Sequence, residues 1–584
     1  MMKKLFSYTA LLMLLLACSC SSVLDIAPQN IIQGKDVFSN ESAIKAYLAT
    51  LYNKIPIQDN NYQIPINAPN INYMSQLTGE SLNNAYRWMN SVGDGTWLQW
   101  WGYDAVRDAN EFLENISTAE FPDDQKKEWE GQVLFIRAYY YFELVKRYGG
   151  VPLITKVQNF NGSNLDSLQV PRNTEKEIYD FVASELDKAA QLMGETSAER
   201  GEANRYAAYA LKARAMLYAA AEAEYGHVAL NGLVGMPASE ADHYWQAAYD
   251  AAKKIIDDKK YSLYAKQDDK AENFADLFLD QDNPETIFAE YYSYPDRVQS
   301  YDNRARPKPE NGGHVCPTLE MAEAFEYTDG SDGKLKLTDS QGNPIEYKDP
   351  AALFAGKDPR FAATILYPFS SWPTGDVEVR AGIIDNGQTI TTNDYNQLYQ
   401  GMHIIGDHGI GGNLGNTTTG FYVRKYLDPA YTETDAAVSR GNDNPYIDMR
   451  YGEVLLNYAE AAIELGKVSD AAWAVNEIRG RAGIKLLGDG EVTRDRVRHE
   501  RQVEMAFEGG RRYWDTRRWR LADKLINNTK FTALYPYYNF KDKAYIFKTL
   551  KVGYALTFYP KLYYERIPPA EISKDPKLIQ NPNY

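Results

Sequence analysis

The amino-acid sequence predicts a mainly α protein in which paired helices stack and support a loop-rich variable region with short strands. Apolar residues recur at three- and four-residue spacing in ten segments of the 584-residue chain. Small Ala and Gly residues fall where paired helices would touch. Between about residues 266 and 444, short β-branched and aromatic runs are instead broken by Gly, Pro, Asn and Asp.

The predicted helices fall in two groups, one on each side of the loop-rich region. Capping residues support several boundaries, since Thr174 precedes Glu177, Ser239 precedes Asp242, and Gly149 ends the third helix. The predicted ranges are 42–55, 97–116, 123–147, 174–192, 202–223, 240–256, 450–465, 469–482, 494–507 and 511–526.

Two stretches are similar to tetratricopeptide units, the two-helix repeat of about 34 residues. Residues 451–461 read YGEVLLNYAEA and precede Ala471 and Ala472, while residues 206–215 read YAAYALKARA and precede a helix at 245–252. Helix hairpins of this kind cannot bury their apolar faces alone, so several must stack. Because the spacing is irregular, a generic helical bundle is the alternative.

Charge and cysteine usage exclude several classes of function. The chain has 63 Lys and Arg against 79 Asp and Glu, a net charge of −16 that repels polyphosphate, so nucleic acid is not an expected partner. Two of the three Cys are Cys18 and Cys20, so the body of the chain holds no disulfide framework or thiolate metal site. We expect Cys316 to be an inert lone thiol.

The first residues are typical of an export signal with a lipidation site. A cationic start is followed by an apolar run at 11–17, too short for a bilayer span of roughly 20 residues. Ala17 precedes Cys18 and Ser19 precedes Cys20, and a small residue directly before Cys is similar to the lipobox of bacterial lipoproteins. We therefore expect a signal peptide at 1–19 or 1–17 and lipidation at Cys20 or Cys18. A plain secretory signal is the alternative.

No catalytic or metal-binding motif is found in the sequence. It contains neither H-E-x-x-H nor G-x-S-x-G. A glycosidase needs only two suitably spaced carboxylates, and 79 acidic residues neither show nor exclude such a pair. His403 and His408 lie close together in a Gly-rich stretch but lack a third ligand, so no metal site is predicted.

One row of charges is predicted to have a structural role. Arg496, Glu500, Glu504, Glu508 and Arg512 follow one another at four-residue steps, which places them on one face of a helix. We expect the cations at the ends of the row to pair with its acidic centre. The arginines at 511–520 are interpreted as part of the same helix-lacing pattern rather than as an anion site.

Residues 135–153, FIRAYYYFELVKRYGGVPL, resemble the SusD/RagB family of outer-membrane nutrient-binding lipoproteins, whose members carry an aromatic helix ending in RYGGVPL. Other similar strings follow in the family's order over nearly the whole mature chain. They are LDIAP at 24–28, NPETIF at 283–288, residues 317–325 with DG at 329–330, DPRF at 358–361, RYGEVLL at 450–456, residues 504–515 and QNPNY at 580–584. The family's spacing between the lipidated Cys and LD suits Cys20 better than Cys18.

The resemblance implies four tetratricopeptide-like helix pairs, an α-α superhelix, supporting a variable half. It implies an N-terminal SusD-like helical region at 23–225 and a C-terminal RagB/SusD region at 266–584, with variable ligand-binding insertions at about 266–444. The implied role is non-enzymatic capture of oligosaccharide at the cell surface, without a cofactor, and delivery to a SusC-like TonB-dependent outer-membrane transporter. The alternatives are a structural lid or peptide-binding partner of the transporter, and an anchored glycoside hydrolase.

Aromatic residues outside the helical frame are the candidate ligand-binding residues. The chain has 45 Tyr and 10 Trp, and an indole or phenol face can cover the apolar C–H face of a sugar ring. Ordinary packing is the alternative for each of them. The candidates are Tyr86, Trp88, Trp97, Tyr292, Tyr294, Tyr367 and Trp372. Tyr291 stands in the same run as Tyr292 and Tyr294.

Overall fold

A computed structural model of the chain describes residues 37–58, 73–84, 98–307, 313–409, 416–431 and 441–584. The predicted signal peptide and both candidate lipidation cysteines, Cys18 and Cys20, lie outside these ranges. Within them the protein is mainly α with short strands, which confirms the predicted fold class. No helix of the described residues is both long enough and apolar enough to cross a membrane.

The longer helices correspond closely to the predicted segments. Shorter helices lie at Leu165–Leu168, Lys270–Asp276, Tyr301–Ala305, Leu319–Ala324, Pro359–Thr364, Ala522–Leu525 and Pro569–Lys574. In the described ranges, the helices of eight or more residues are α1 Glu41–Asn53, α2 Tyr103–Ile116, α3 Asp123–Tyr148, α4 Glu175–Leu192, α5 Arg205–Tyr225, α6 Ala241–Asp258, α7 Tyr451–Glu464, α8 Val468–Ala482, α9 Arg494–Glu504 and α10 Arg511–Arg518.

These helices pack one on the next along the chain. Helix α2 packs on α3, α3 on α4, α4 on α5, α5 on α6, α6 on α7, and α7 on both α8 and α9. Small side chains such as Ala213, Ala219 and Ala220 are fully buried in α5, which lets its neighbours approach closely. The contact between α6 and α7 closes the stack across the loop-rich region inserted between them, so that region is carried on a continuous helical frame.

Local capping chemistry sets the start of some helices but not of others. Thr174 and Glu177 form a capping box in which the Glu177 N–H donates to Thr174 Oγ1 at 3.2 Å and the Thr174 N–H donates to Glu177 Oε2 at 2.7 Å. The predicted cap at Ser239 is wrong. A 3₁₀ turn at Ala238–Glu240 precedes α6, and no side chain caps that helix.

The strands are mostly two to five residues long and pair in small sheets. They are β1 Ser81–Leu82, β2 Thr286–Glu290, β3 Cys316–Pro317, β4 Ile365–Leu366, β5 Ser371–Trp372, β6 Gly375–Asp376, β7 Gly382–Asp385, β8 Gln388–Ile390, β9 Leu398–Tyr399, β10 Met402–His403, β11 Tyr422–Val423, β12 Tyr446–Arg450, β13 Thr529–Asn539 and β14 Ala544–Leu556. The order β14-β13-β7-β8 forms the four-stranded sheet, in which β13 pairs with β7 in parallel. The long β13–β14 hairpin was not predicted from the sequence.

The predicted acidic row is structural, but its partners differ from those expected. Its carboxylates are buried and pair with arginines from other elements. Glu504 accepts from Arg360 Nη1 at 2.9 Å and from Arg450 Nη1 at 2.7 Å, whereas Arg496 donates to Glu326 at 2.6 Å. The prediction that the row pairs within itself is therefore wrong, because its face is buried against segments distant in the sequence.

The neighbouring basic cluster is also ion-paired in the interior. Arg511 lies 3.0 Å from Asp448, and Arg518 lies 2.6 Å from Glu460. These pairs join α10 to β12 and α7, which agrees with the helix-lacing interpretation.

Candidate functional site

The aromatic segment that follows β2 is held in a defined turn. Strand β2 pairs antiparallel with β12, and its central residues are buried. Beyond the strand the chain turns back on itself, because the Ser293 N–H donates to Arg297 O at 2.7 Å and the Arg297 N–H donates to Ser293 O at 2.8 Å. The turn fixes Tyr291, Tyr292 and Tyr294 relative to the end of the strand.

Arginine side chains lie over two of these rings. The Arg200 guanidinium lies 4.6 Å from the centre of the Tyr291 ring, and the Arg297 guanidinium lies 4.9 Å from that of Tyr292. Arg297 also donates to Tyr291 O and to Glu290 Oε1, both at 2.9 Å. These contacts hold the rings in place before any ligand arrives.

A cavity of about 660 Å³ lies between α1, the loop at 199–202 and the end of β2. Its aromatic lining consists of Tyr52, Phe288 and Tyr291. A volume of this size suits a small-molecule ligand, and a mixture of aromatic and polar lining is typical of such sites.

The Tyr52 side of the cavity is rigid. The Tyr52 hydroxyl donates to Gln132 Oε1 at 2.9 Å and accepts from the Ala203 N–H at 2.9 Å. Its ring lies 6.1 Å from that of Phe288. Burial raises the pKa of Tyr52 above its ordinary value.

Gly201 allows the loop at 199–202 to approach the Tyr291 ring. Its φ is +89°, a left-handed conformation that favours glycine. A Cβ at this position would lie 3.5 Å from Tyr291 Cδ2. The loop therefore forms a wall of the cavity, and its Arg200 side chain covers the Tyr291 ring.

The charged side chains around this cavity balance one another. The cationic side chains are Lys45, Arg200 and Arg297, and the anionic ones are Glu199, Glu202 and Glu290. Several already form pairs, such as Lys45 with Glu199 at 3.3 Å and Arg297 with Glu290 at 2.9 Å. Burial raises the pKa of Glu202. Such a rim offers both hydrogen-bond donors and acceptors without a strong net field, which suits a neutral ligand rich in hydroxyl groups.

The structure brings two of the predicted site residues to this region. Tyr292 and Tyr294 share the turn after β2 with Tyr291; Tyr292 is buried, whereas Tyr294 is 43% exposed. Tyr86, Trp88 and Trp97 lie outside the described residues.

Tyr367 and Trp372 lie elsewhere, in packed surroundings. The Tyr367 ring stacks on Phe361, with ring centres 5.2 Å apart and planes 22° apart. Trp372 is 5% exposed, and the Arg306 guanidinium lies 5.4 Å from its ring centre. Neither residue lines the cavity, and the faces of both rings contact other side chains of the protein. Ligand contact by either residue stays a prediction.

Sequence reasoning missed several residues that line the cavity. Tyr52 lies one turn from the buried Leu48 on α1, so its spacing is that of an ordinary core residue. Arg200 lies in a polar loop with no local signal of a site. A pattern search along one element could not have found them, because the cavity is assembled from three separate segments.

No cluster of three or more His, Cys, Asp or Glu positioned to hold a metal ion occurs among the described residues. His403 Nδ1 lies 2.7 Å from Tyr395 O. Burial lowers the pKa of His408. Cys316 is buried, and its Sγ lies 3.0 Å from Gly313 O.

Two family models match the chain. Residues 279–584, more than half of the chain, match the model described as the SusD family. Residues 23–217 match the model described as starch-binding associating with outer membrane.

Similar proteins match over most of their length. A SusD-like protein of Formosa agariphila is 24% identical over 529 residues, which cover 85% of this chain and 87% of that protein. The crystal structure of a SusD-like protein from Bacteroides fragilis, 25% identical, superposes with a TM-score of 0.69 over 96% of this chain and 99% of that one. A second structure from that species, described as a SusD-like carbohydrate binding protein, is 20% identical, with a TM-score of 0.67 over 93% of this chain and 100% of that one.

Proposed function

This chain belongs to the SusD family, and on that premise we propose that it is a surface-exposed, non-catalytic lipoprotein that captures oligosaccharide. The observation that carries the proposal is the cavity beside β2. There Arg200 holds the Tyr291 ring in place, and equal numbers of cationic and anionic side chains line the cavity around it. The name of the Bacteroides fragilis relative as a carbohydrate binding protein supports the same ligand class.

The physical chemistry of the cavity favours weak, reversible binding. Each aromatic ring that covers a sugar face contributes on the order of 1 kcal/mol from apolar burial. A few rings and hydrogen bonds, set against the entropy lost on association, give a Kd of roughly micromolar to millimolar. Weak binding suits a protein that passes its ligand on.

We propose that the captured glycan is delivered to a SusC-like TonB-dependent transporter. The family description of outer-membrane association supports this location. A lipid anchor at Cys18 or Cys20 would hold the protein there, because more than one acyl chain gives stable membrane attachment. The regions 23–225 and 266–584 would act as one platform, since Arg214 on α5 forms buried ion pairs with Asp448 on β12 and Glu453 on α7.

Titration calorimetry against a panel of neutral polysaccharides and their oligosaccharides tests glycan binding. The wild-type protein should bind at least one of them, and Tyr291→Ala should weaken that binding about fivefold, since one ring contributes on the order of 1 kcal/mol. Tyr294→Ala is a milder test at an exposed ring of the same turn. Tyr554→Ala removes an exposed ring from β14 and should leave binding unchanged.

The same titrations separate the alternatives. Binding to no glycan by the wild-type protein, with copurification of a transporter, would favour a lid or a peptide-binding partner. Release of shortened products from a bound glycan would favour an anchored hydrolase. If a glycan binds but Tyr291→Ala and Arg297→Gln have no effect, the site lies elsewhere, and Trp88→Ala and Trp372→Ala become the next tests.

A further inference from the structure

A second cavity, of about 680 Å³, lies at the end of α5 and shares no lining residue with the first. It is formed where α5, the segment after α10 and the chain near residues 560–564 and 582–583 meet. Its aromatic lining consists of Tyr225, Trp519, Tyr563 and Tyr564.

The charge of this cavity is opposite to that of the chain as a whole. Four cationic side chains line it against one carboxylate, in a chain of net charge −16. The cationic residues are Arg498, Arg520, Lys524 and Lys561, and the acidic one is Asp523. The first cavity, by contrast, has three charges of each sign. The excess of cations favours an anionic ligand here.

The Arg498 guanidinium lies against two of the aromatic rings that line this cavity. Its guanidinium lies 5.2 Å from the centre of the Tyr225 ring and 4.7 Å from that of Trp519, so two aromatic rings position it. Its Nε and Nη2 atoms are buried and have no acceptor among the described residues. An unpaired buried donor costs free energy, which an arriving anion would recover by placing a counter-charge beside the guanidinium.

Two of these cations, Lys524 and Lys561, form no ion pair with a carboxylate of the described residues. The Lys561 ammonium group lies 4.8 Å from the centre of the Tyr584 ring. Arg520 differs, because it pairs with Glu222 and donates to the Tyr564 hydroxyl. Among the described residues, three of the four cations around the cavity are therefore without a carboxylate partner.

We propose that this second cavity binds an acidic saccharide, a sugar whose carboxylate or sulfate group lies beside Arg498, Lys524 and Lys561. The aromatic lining supplies apolar contact for the sugar ring. The choice of a saccharide rests on the proposed function, whereas the preference for an anion rests on this cavity alone. The protein would then hold neutral and acidic parts of a glycan at separate places.

Calorimetry with three oligosaccharides of equal length tests the proposal: an oligogalacturonide, a sulfated galactan fragment and a neutral galacto-oligosaccharide. At least one acidic ligand should bind the full chain about tenfold more tightly than the neutral one, with a difference that shrinks at high salt. The better of the two acidic ligands identifies the anionic group. Equal affinity for acidic and neutral ligands, or no binding of either acidic ligand, would overturn the proposal.

Variants locate the binding within the molecule. The double variant Lys524→Gln with Lys561→Gln should weaken acidic binding about fivefold, and Arg498→Gln should weaken it about tenfold or more. Lys541→Gln, at an exposed lysine in the β13–β14 turn, is the matched control and should change nothing. Tyr291→Ala should also leave acidic binding intact, which separates this site from the first. A double lysine variant that binds like Lys541→Gln would contradict the proposal even if Arg498→Gln failed to fold.

Discussion

Replacing Arg450 with methionine should lower the free energy of unfolding by about 3–5 kcal/mol, the usual cost of breaking a buried ion-pair network. Arg450 joins β12 to α7 and is 1% exposed. Its Nη1 donates to Glu285 Oε1 and Glu504 Oε1, each at 2.7 Å, and its Nε donates to Glu508 Oε2 at 2.9 Å. The variant leaves these three buried carboxylates with one cation fewer.

The remaining cations compensate only in part. Glu504 keeps Arg360 at 2.9 Å and Arg481 at 2.5 Å. Among the described residues, Glu285 keeps one cation, Arg481 at 3.4 Å, together with the N–H groups of Tyr264 and Gly452. Burial alone would raise the pKa of Glu504, yet Arg481, Arg450 and Arg360 outweigh it and hold the pKa well below its ordinary value. Loss of Arg450 should therefore raise this pKa and weaken the network.

Urea unfolding at neutral pH measures the effect directly. Lys253→Met is the control, because Lys253 and its partner Asp257 are 44% and 57% exposed, and a salt bridge at the surface contributes less than about 1 kcal/mol. A carboxyl with a lowered folded-state pKa stabilises the fold above its unfolded pKa and loses that contribution as the pH falls. The difference between wild type and Arg450→Met should therefore shrink in acid. A loss no larger than that of Lys253→Met would refute this reasoning.

Two further predictions concern the surroundings of the second cavity. Burial, with Glu222 nearby, raises the pKa of Glu175 to about 8, so the folded protein should lose stability as the pH rises from about 4.5 to about 8. Urea unfolding at the two ends of this range measures the loss in the free energy of unfolding. That loss should be about 2–4 kcal/mol smaller for Glu175→Gln than for the wild type, and parallel pH profiles of the two proteins would contradict the assignment. Gly235→Ala should cost about 1–3 kcal/mol, because its φ is +75° and a Cβ would lie 2.2 Å from His227 O. Gly342→Ala, with φ +85° and open space around it, controls for backbone strain, and equal losses in thermal unfolding would show that no clash occurs.

The sequence predicted the helical frame well where local signals decide the structure. The capping box at Thr174 and the start of α3 at Asp123 are set by neighbouring residues. The predicted helix 511–526 instead ends at Arg518, because Arg520 adopts a φ of +54° and contacts Glu222. That break depends on a contact almost 300 residues away in the chain, which helical spacing cannot reveal.

Long-range pairing also explains the other differences. The β13–β14 hairpin is half-exposed and joins β7 in parallel, so its stability depends on a distant strand. The predicted row of charges is only partly on one helix, because α9 ends at Glu504 and leaves Glu508 and Arg512 beyond it. The partners of Glu504 come from elsewhere in the chain.

For the candidate site, the run at Tyr291–Tyr294 indicated the region. Tyr52 and Arg200 could not be assigned to it, because only the fold brings α1 and the loop at 199–202 beside β2.

A crystal structure of the protein with a neutral oligosaccharide bound tests the central claim most directly. We predict a sugar ring against Tyr291, within about 4 Å of its ring carbons, and hydroxyl groups bonded to the charged rim. Electron density for the sugar away from the cavity beside β2 would contradict the assignment of this site.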